Sequence, residues 1–276
     1  MENLTQEEMK EKRFQFGKNW RVFLNTLNKE RIHFAKKDLL DFLEEKELTG
    51  KTFLDVGSGS GLSSLVAKMA GATVHSFDYD MDSVACTGYL KDKYFPEDQN
   101  WITEQGSALS EKYIERLGKY DIVYSWGVLH HTGNMYKALE LVEKKVADKG
   151  KLFISIYNDQ GFTSRLWRLI KRMYVKSPYL IKQFILLICY VRLWGPTTIK
   201  DFIKLRPFYT WRNYFLQRGM SPHRDVVDWV GGYPFEVAKP ETIIHFFIER
   251  NFRLKRLKTC GGGKGCNEFL FIKNKE

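Results

Sequence analysis

Long apolar runs are missing from this chain of 276 residues. No stretch approaches the ~20 consecutive apolar residues of a membrane-spanning helix. The opening MENLTQEEMKEK is polar, with no apolar segment of the secretory type, so no signal peptide is expected. Cysteine is scarce. Cys86, Cys189, Cys260 and Cys266 are too few and too irregular for a disulfide framework, and they suit a reducing cytosol. Only Cys260 and Cys266 stand close, and without a second pair they make no structural zinc site; no metal is expected. Acids are nearly absent from one segment. Between Gln160 and Met220 twelve lysines and arginines face a single acid, Asp201, so this stretch carries the whole net charge of +11. A local basic surface follows, and a general nucleic-acid coat does not.

What is present is a hydrophobic content of 43%, enough for one large core or one core with an insertion. Residues 1 to about 50 read as helices. Phe16, Trp20, Phe23, Leu24 and Leu27 recur at helical spacing, and Ile32, Leu39, Leu40 and Leu43 repeat the pattern. The period then changes. KTFLDVGSGSG is a strand ending in a glycine turn, and LSSLVAKMAGA is a helix closed by glycine. TVHSFDYD, NWITEQGSAL, YDIVYSW and KLFISIYN are further strands, with helices at MDSVACTGYLKDKY and MYKALELVEKKV. Alternating strands and helices predict βαβ units and a parallel sheet.

The alternation stops after Asn158. GFTSRLWRLIKRMYV predicts a basic amphipathic helix, and YLIKQFILLICYVRLW is nearly all apolar. The α/β pattern returns with the helix KPETIIHFFIERNF, and two strands flank the hairpin CGGGKGC. The chain therefore divides into an N-terminal helical flap (1–50), a ligand-binding core (51–158), a basic aromatic insertion (159–235) and a return to the core (236–276).

The glycine turn reads Asp55-Val-Gly57-Ser-Gly59-Ser-Gly61. Glycines let a ligand approach the backbone, and the next helix offers free N–H groups. A nicotinamide dinucleotide turn wants glycine where Leu62 stands, which argues against an oxidoreductase. Asp55 at the strand end suits an ammonium group better than a pyrophosphate.

FLDVGSGSG, HSFDYD, GSAL and YDIVYSWGVLHHTGN, in that order, resemble the class I S-adenosylmethionine-dependent methyltransferases. The resemblance covers about 50–158 and resumes over about 238–273. It implies a Rossmann-like, mostly parallel seven-stranded sheet with helices on both faces, and S-adenosylmethionine as cofactor. By the same resemblance Gly57, Gly59 and Gly61 line the methionine part of the cofactor, Asp78 holds the ribose hydroxyls and Tyr79 lies along the adenine. Ser107, where many members carry Asp, and Ala108 approach the adenine edge. Trp126 and Gly127 touch the cofactor beyond the fourth strand. Leu129-His130-His131 is similar to a run in the small-molecule group that includes the ubiquinone-biosynthesis O-methyltransferases. That implies a small-molecule or lipid-linked acceptor, with His131, or alternatively His130, as base. Asp/Asn-Pro-Pro-Tyr, the amino-methyltransferase signature for DNA, does not occur, so DNA is not an expected partner.

Candidate acceptor contacts are Tyr157 at the end of the fifth strand, Arg224, Asp228 and Trp229 in the stretch GMSPHRDVVDWVGGYPFEV, read as a glycine-bent loop, and Asn267 beside the hairpin. The basic insertion admits several readings: contact with a membrane surface through 160–220, attraction of an acidic soluble acceptor, an RNA acceptor, or simply a lid with its own core and solvated cations. A non-catalytic cofactor-binding protein of the same fold is the rival to an enzyme. A cytoplasmic location, at or away from a membrane, is expected.

Overall fold

A computed structural model describes residue 14, residues 16–218 and residues 222–275. The opening segment and residues 219–221, which begin the stretch read as a bent loop, lie outside the described residues. Among the described residues two helices come first, α1 (Gly17–Leu24) and α2 (Lys29–Leu43). Then β1 (Thr52–Val56), α3 (Leu62–Met69), β2 (Thr73–Asp78), α4 (Met81–Tyr94), β3 (Trp101–Gln105), α5 (Glu111–Arg116), β4 (Tyr120–Trp126), α6 (Met135–Glu143) and β5 (Val146–Tyr157) alternate. The described residues of the insertion hold the helices α7 (Phe162–Lys176), α8 (Tyr179–Ile203), α9 (Tyr209–Arg218) and α10 (Pro222–Gly231). The chain returns through α11 (Pro240–Ile248), β6 (Phe252–Lys258) and β7 (Cys266–Lys273).

The seven strands form one sheet in the order β3-β2-β1-β4-β5-β7-β6. β1 to β5 pair in parallel, and β7 runs antiparallel to both β5 and β6. Both faces of the sheet are covered, and side-chain alternation divides the strands between two cores. Leu54, Val123, Phe269 and Phe271 enter one core, while Phe53, Ile122, Tyr124 and Leu270 enter the other. The insertion holds a third cluster, with Trp167, Tyr174, Leu186, Trp194 and Val230 buried among themselves. The insertion thus has a core of its own.

Three local expectations change. β5 begins at Val146, five residues before the run KLFISIYN, because Val146 pairs with Tyr120 and a bulge over 147–150 intervenes before the ladder resumes at Lys151. α5 has six residues, too few to show a period, and is set by the Ser110 cap, which accepts from the Tyr113 N–H. Within the stretch read as a glycine-bent loop, Pro222–Gly231 form helix α10. Arg224, Asp228 and Trp229 therefore stand on a helix.

Candidate active site

In an open α/β sheet, ligands bind beyond the carboxyl ends of the strands, where the strand order reverses. Here that point lies between β1 and β4, because β2 and β3 lie to one side of β1 and β5 to the other. A cavity of 1160 Å³ opens there. It exceeds the ~300–1,000 Å³ of an ordinary single-ligand pocket, so it has room for a cofactor and an acceptor together.

The turn after β1 is held tightly. The N–H groups of Gly57 and Ser58 donate to the Phe77 carbonyl at 2.8 and 3.1 Å. Gly57 has φ +80°, and a Cβ there would lie 2.3 Å from a Val128 methyl. Gly61 also has positive φ, and its Cβ would lie 2.7 Å from the Thr87 Cα. Glycine is needed at both positions on conformation and on space. Asp55 is buried at the foot of the turn and accepts from Ser64 Oγ at 2.5 Å. Ser64 in turn meets Ser76 Oγ at 2.6 Å, and the Trp101 indole donates to Ser76. This chain of hydrogen bonds fixes the carboxylate. Burial pushes its pKa up to about 7, with the nearby Asp78 charge adding to the rise. Such a carboxylate gains from a cationic ligand group. Asp78, at the end of β2, accepts from the N–H groups of Gly59 and Asp80 at 2.9 and 2.8 Å. Burial raises its pKa to about 6. Tyr79, Ser107 and Ala108 line the same side of the cavity.

The N-terminal segment crosses this half. Gly17 N–H donates to Asp80 at 3.0 Å, Arg21 pairs with Asp82 at 2.6 Å, and the Trp20 indole lies 3.2 Å from where a Gly59 Cβ would stand. Asn19 donates its side-chain amide to Asp228 of α10, joining the segment to the lid.

Beyond β4, Val128 leads into a single 3-10 turn, Leu129–His131. His130 and His131 point to different surroundings. His130 is 0% exposed, its ring is 4.0 Å from that of Tyr157, and among the described residues neither ring nitrogen makes a hydrogen bond of good geometry. Burial holds its pKa well below the usual range, with the nearby His131 and Lys171 adding to the drop. His131 lines the cavity, and its Nδ1 lies 2.6 Å from the Pro234 carbonyl. A carbonyl only accepts, so Nδ1 carries the proton and Nε2 is the basic nitrogen. Tyr157 and Trp229 line the cavity with their rings 5.5 Å apart. Asp228 is beside them, and burial raises its pKa to about 7. Asp225 accepts from the Tyr214 hydroxyl at 2.8 Å.

Among the residues named from sequence, Asp55, Gly57, Gly59, Asp78, Tyr79, Ser107, Ala108, Trp126, His131, Tyr157, Asp228 and Trp229 line the cavity. Gly61, His130, Arg224 and Asn267 do not. Asn267 is buried, accepting from the Cys260 N–H and donating to Asn158, so it holds the hairpin in shape. Alternation along β7 puts Asn267 on the opposite face from Cys266 and Glu268, which do line the cavity. Glu268 also accepts from the Trp126 indole at 3.1 Å. That alternation could have pointed to Glu268. For Thr197 and Thr210, lid residues at the cavity wall, no pattern in the sequence gives a signal.

A family model described as a methyltransferase domain matches residues 27–215. The chain belongs to this methyltransferase family. It is a class I methyltransferase, an enzyme whose methyl donor is S-adenosylmethionine. Among solved structures it is similar to magnesium protoporphyrin IX methyltransferase from Synechocystis PCC 6803 with bound SAH, at 14% identity, a TM-score of 0.52, and 99% of this chain against 90% of that one. An O-methyltransferase family protein from Burkholderia thailandensis matches at 11% identity and a TM-score of 0.52, over 87% of this chain and 56% of that one. Both likenesses are of fold. The ribosomal protein L11 methyltransferase of Helicobacter hepaticus is 40% identical over 52 residues, 19% of this chain and 16% of that protein.

The residues present fit the methyl donor. A glycine turn with no room for side chains, a buried carboxylate fixed at its foot and a second carboxylate at the end of β2 match a ligand bearing an ammonium group and ribose hydroxyls.

Proposed function

We propose that the enzyme methylates a hydroxyl group on an apolar small molecule or a lipid-linked acceptor, with His131 as general base. The observation that supports the reading is the Nδ1 contact with the Pro234 carbonyl, which leaves Nε2 as the basic nitrogen of a residue that lines the cavity. The donor supplies a methyl group already activated on a sulfonium, so the protein has to position, exclude water and take up a proton. Asp55 holds the ammonium group, Asp78 the ribose hydroxyls, and Tyr79, Ser107 and Ala108 the adenine. Trp126 closes the side next to β4. Tyr157, Trp229 and Asp228 form the acceptor wall, whose aromatic faces favour an apolar acceptor. His131 Nε2 receives the hydroxyl proton. The Asn19–Asp228 link ties the N-terminal segment to the lid over the cavity and keeps water out.

The test has two stages. Labelled S-adenosylmethionine is incubated with the enzyme and with lipid, small-molecule and RNA fractions, and label is expected in an apolar fraction. His131→Gln is then expected to lower turnover by about 10²–10⁴-fold with the affinity for S-adenosylhomocysteine unchanged by calorimetry. Full turnover in that variant, or label confined to RNA, would sink the reading.

A further inference from the structure

We propose that the outer face of α8 docks on an anionic lipid bilayer. The helix has 25 residues, a length of about 37 Å. One side builds the enzyme: Leu186, Cys189 and Trp194 are buried in the lid core, and Leu193, Trp194 and Thr197 line the cavity. The other side is apolar and uncovered. Leu180, Phe184, Leu187 and Val191 recur at the spacing of one helix face, with Leu180 80% and Val191 67% exposed. Ile199, Phe202 and Ile203 extend the exposed apolar surface past Pro196. Helix α7 repeats the arrangement, since Phe162, Leu166, Leu169 and Met173 make an exposed stripe beside the exposed cations Arg165, Arg172 and Lys176. Monomeric soluble proteins rarely leave so large an apolar surface uncovered.

Charge selects the occupant. The segment from Gln160 to Met220 carries twelve lysines and arginines, of which Lys171 is buried, against Asp201, and Asp201 is occupied within the lid by the Thr210 N–H and hydroxyl. A second copy of this chain would bring like charges together. A bilayer with anionic headgroups accepts the apolar stripe into its acyl boundary and neutralises the flanking lysines and arginines. No described helix is long and apolar enough to cross a membrane, so the contact lies along the surface. Because the opposite side of α8 is a wall of the cavity, a docked enzyme holds that cavity next to the bilayer. An acceptor dissolved in the membrane then has a short path to it. This consequence rests on the apolar-acceptor reading above, whereas docking itself is measured without any methyl transfer.

The experiment is vesicle flotation of the full chain, with vesicles of phosphatidylcholine alone or with one part phosphatidylglycerol to three of phosphatidylcholine. The protein is expected to float with the anionic vesicles at about 0.1 M salt and to be at least partly released at about 0.5 M. Leu187→Glu/Val191→Glu, on exposed positions, is expected to lower vesicle binding by about tenfold or more. Its melting temperature and S-adenosylhomocysteine affinity should match the wild type. Wild-type protein that stays unbound with both vesicles overturns the proposal. A dimer in solution that the double variant splits, or vesicle binding that the double variant retains, overturns it as well. A floating enzyme that labels no apolar acceptor would leave docking standing and defeat the function proposed for the site.

Discussion

Replacing Gly57 with alanine tests whether the turn after β1 and the turn after β4 form one unit. Gly57 has φ +80° and its N–H donates to Phe77 at 2.8 Å, so the backbone cannot relax without losing that bond. A side chain in the left-handed region costs about 1–2 kcal/mol. The new methyl would stand 2.3 and 2.6 Å from the two Val128 methyls and 2.9 Å from its Cβ. Valine is stiff about χ1 and cannot turn both methyls away, so overpacking adds about 1–3 kcal/mol. The total is about 2–5 kcal/mol. The same push is transmitted onward, because the Val128 carbonyl accepts from the His131 N–H at 2.9 Å. Gly57→Ala should therefore weaken binding of S-adenosylhomocysteine and shift His131 as well. Urea unfolding of Gly57→Ala, Val128→Ala and the double variant checks the magnitude. With both methyls gone, a shift of a few tenths of an ångström relieves the remaining contact. The double variant should then recover about 1–3 kcal/mol as a coupling energy and keep only the conformational cost. Additive effects within about 0.5 kcal/mol would refute the steric argument.

Two further outcomes follow from buried groups. His130 stays neutral when folded but takes a proton when unfolded, so its contribution is lost as pH falls below about 6.5, by about 1.4 kcal/mol per pH unit. Wild-type stability should therefore drop relative to His130→Phe between about pH 6.5 and 5, and parallel urea curves for the two would contradict this. Lys171 is buried with its Nζ donating to the Trp229 carbonyl, 4.4 and 4.7 Å from the Trp229 and Phe235 rings, and burial lowers its pKa to about 7. The unfolded chain keeps that proton up to about pH 10.4, so the buried lysine costs about 4 kcal/mol at neutral pH, partly offset by the carbonyl and the two rings. Lys171→Met, similar in shape and uncharged, should hold or raise the melting temperature at pH 7 and flatten its rise toward pH 10; a clear fall at pH 7 would show that the lysine contacts outweigh its burial.

The sheet was legible because each strand announces itself by alternation and each crossover by a turn. Phe53 and Leu54 must face opposite sides once β1 is a strand, and the glycine turn after it can only lie at the carboxyl end. The lid was less legible. In YLIKQFILLICYVRLW both helix faces are apolar, so no period separates Leu186, which is buried, from Leu187, which is exposed. Only the positions of α7 and α10 against α8 decide that, and those are tertiary facts. The same holds for Asp228, which could be named as a polar group but not joined to Asn19 across more than two hundred residues.

The adjacent histidines show how a local constraint becomes a division of labour. On a tight turn, neighbouring side chains diverge, and the fold gives one to each environment. His130 goes into the seam between core and lid, against Tyr157 and close enough to Lys171 to feel its charge. There a protonated ring would face a low-dielectric site, and burial outweighs the opposing pull of the Ser155 backbone, so the neutral form is favoured. That neutrality matters next door. A charged His130, its ring centroid 4.6 Å from that of His131, would oppose proton uptake by any base at that position. Keeping His130 neutral and tying His131 Nδ1 to the Pro234 carbonyl are two independent constraints with one result. Both favour Nε2 as the basic nitrogen of His131, a residue that lines the cavity, and neither depends on the identity of the methyl acceptor.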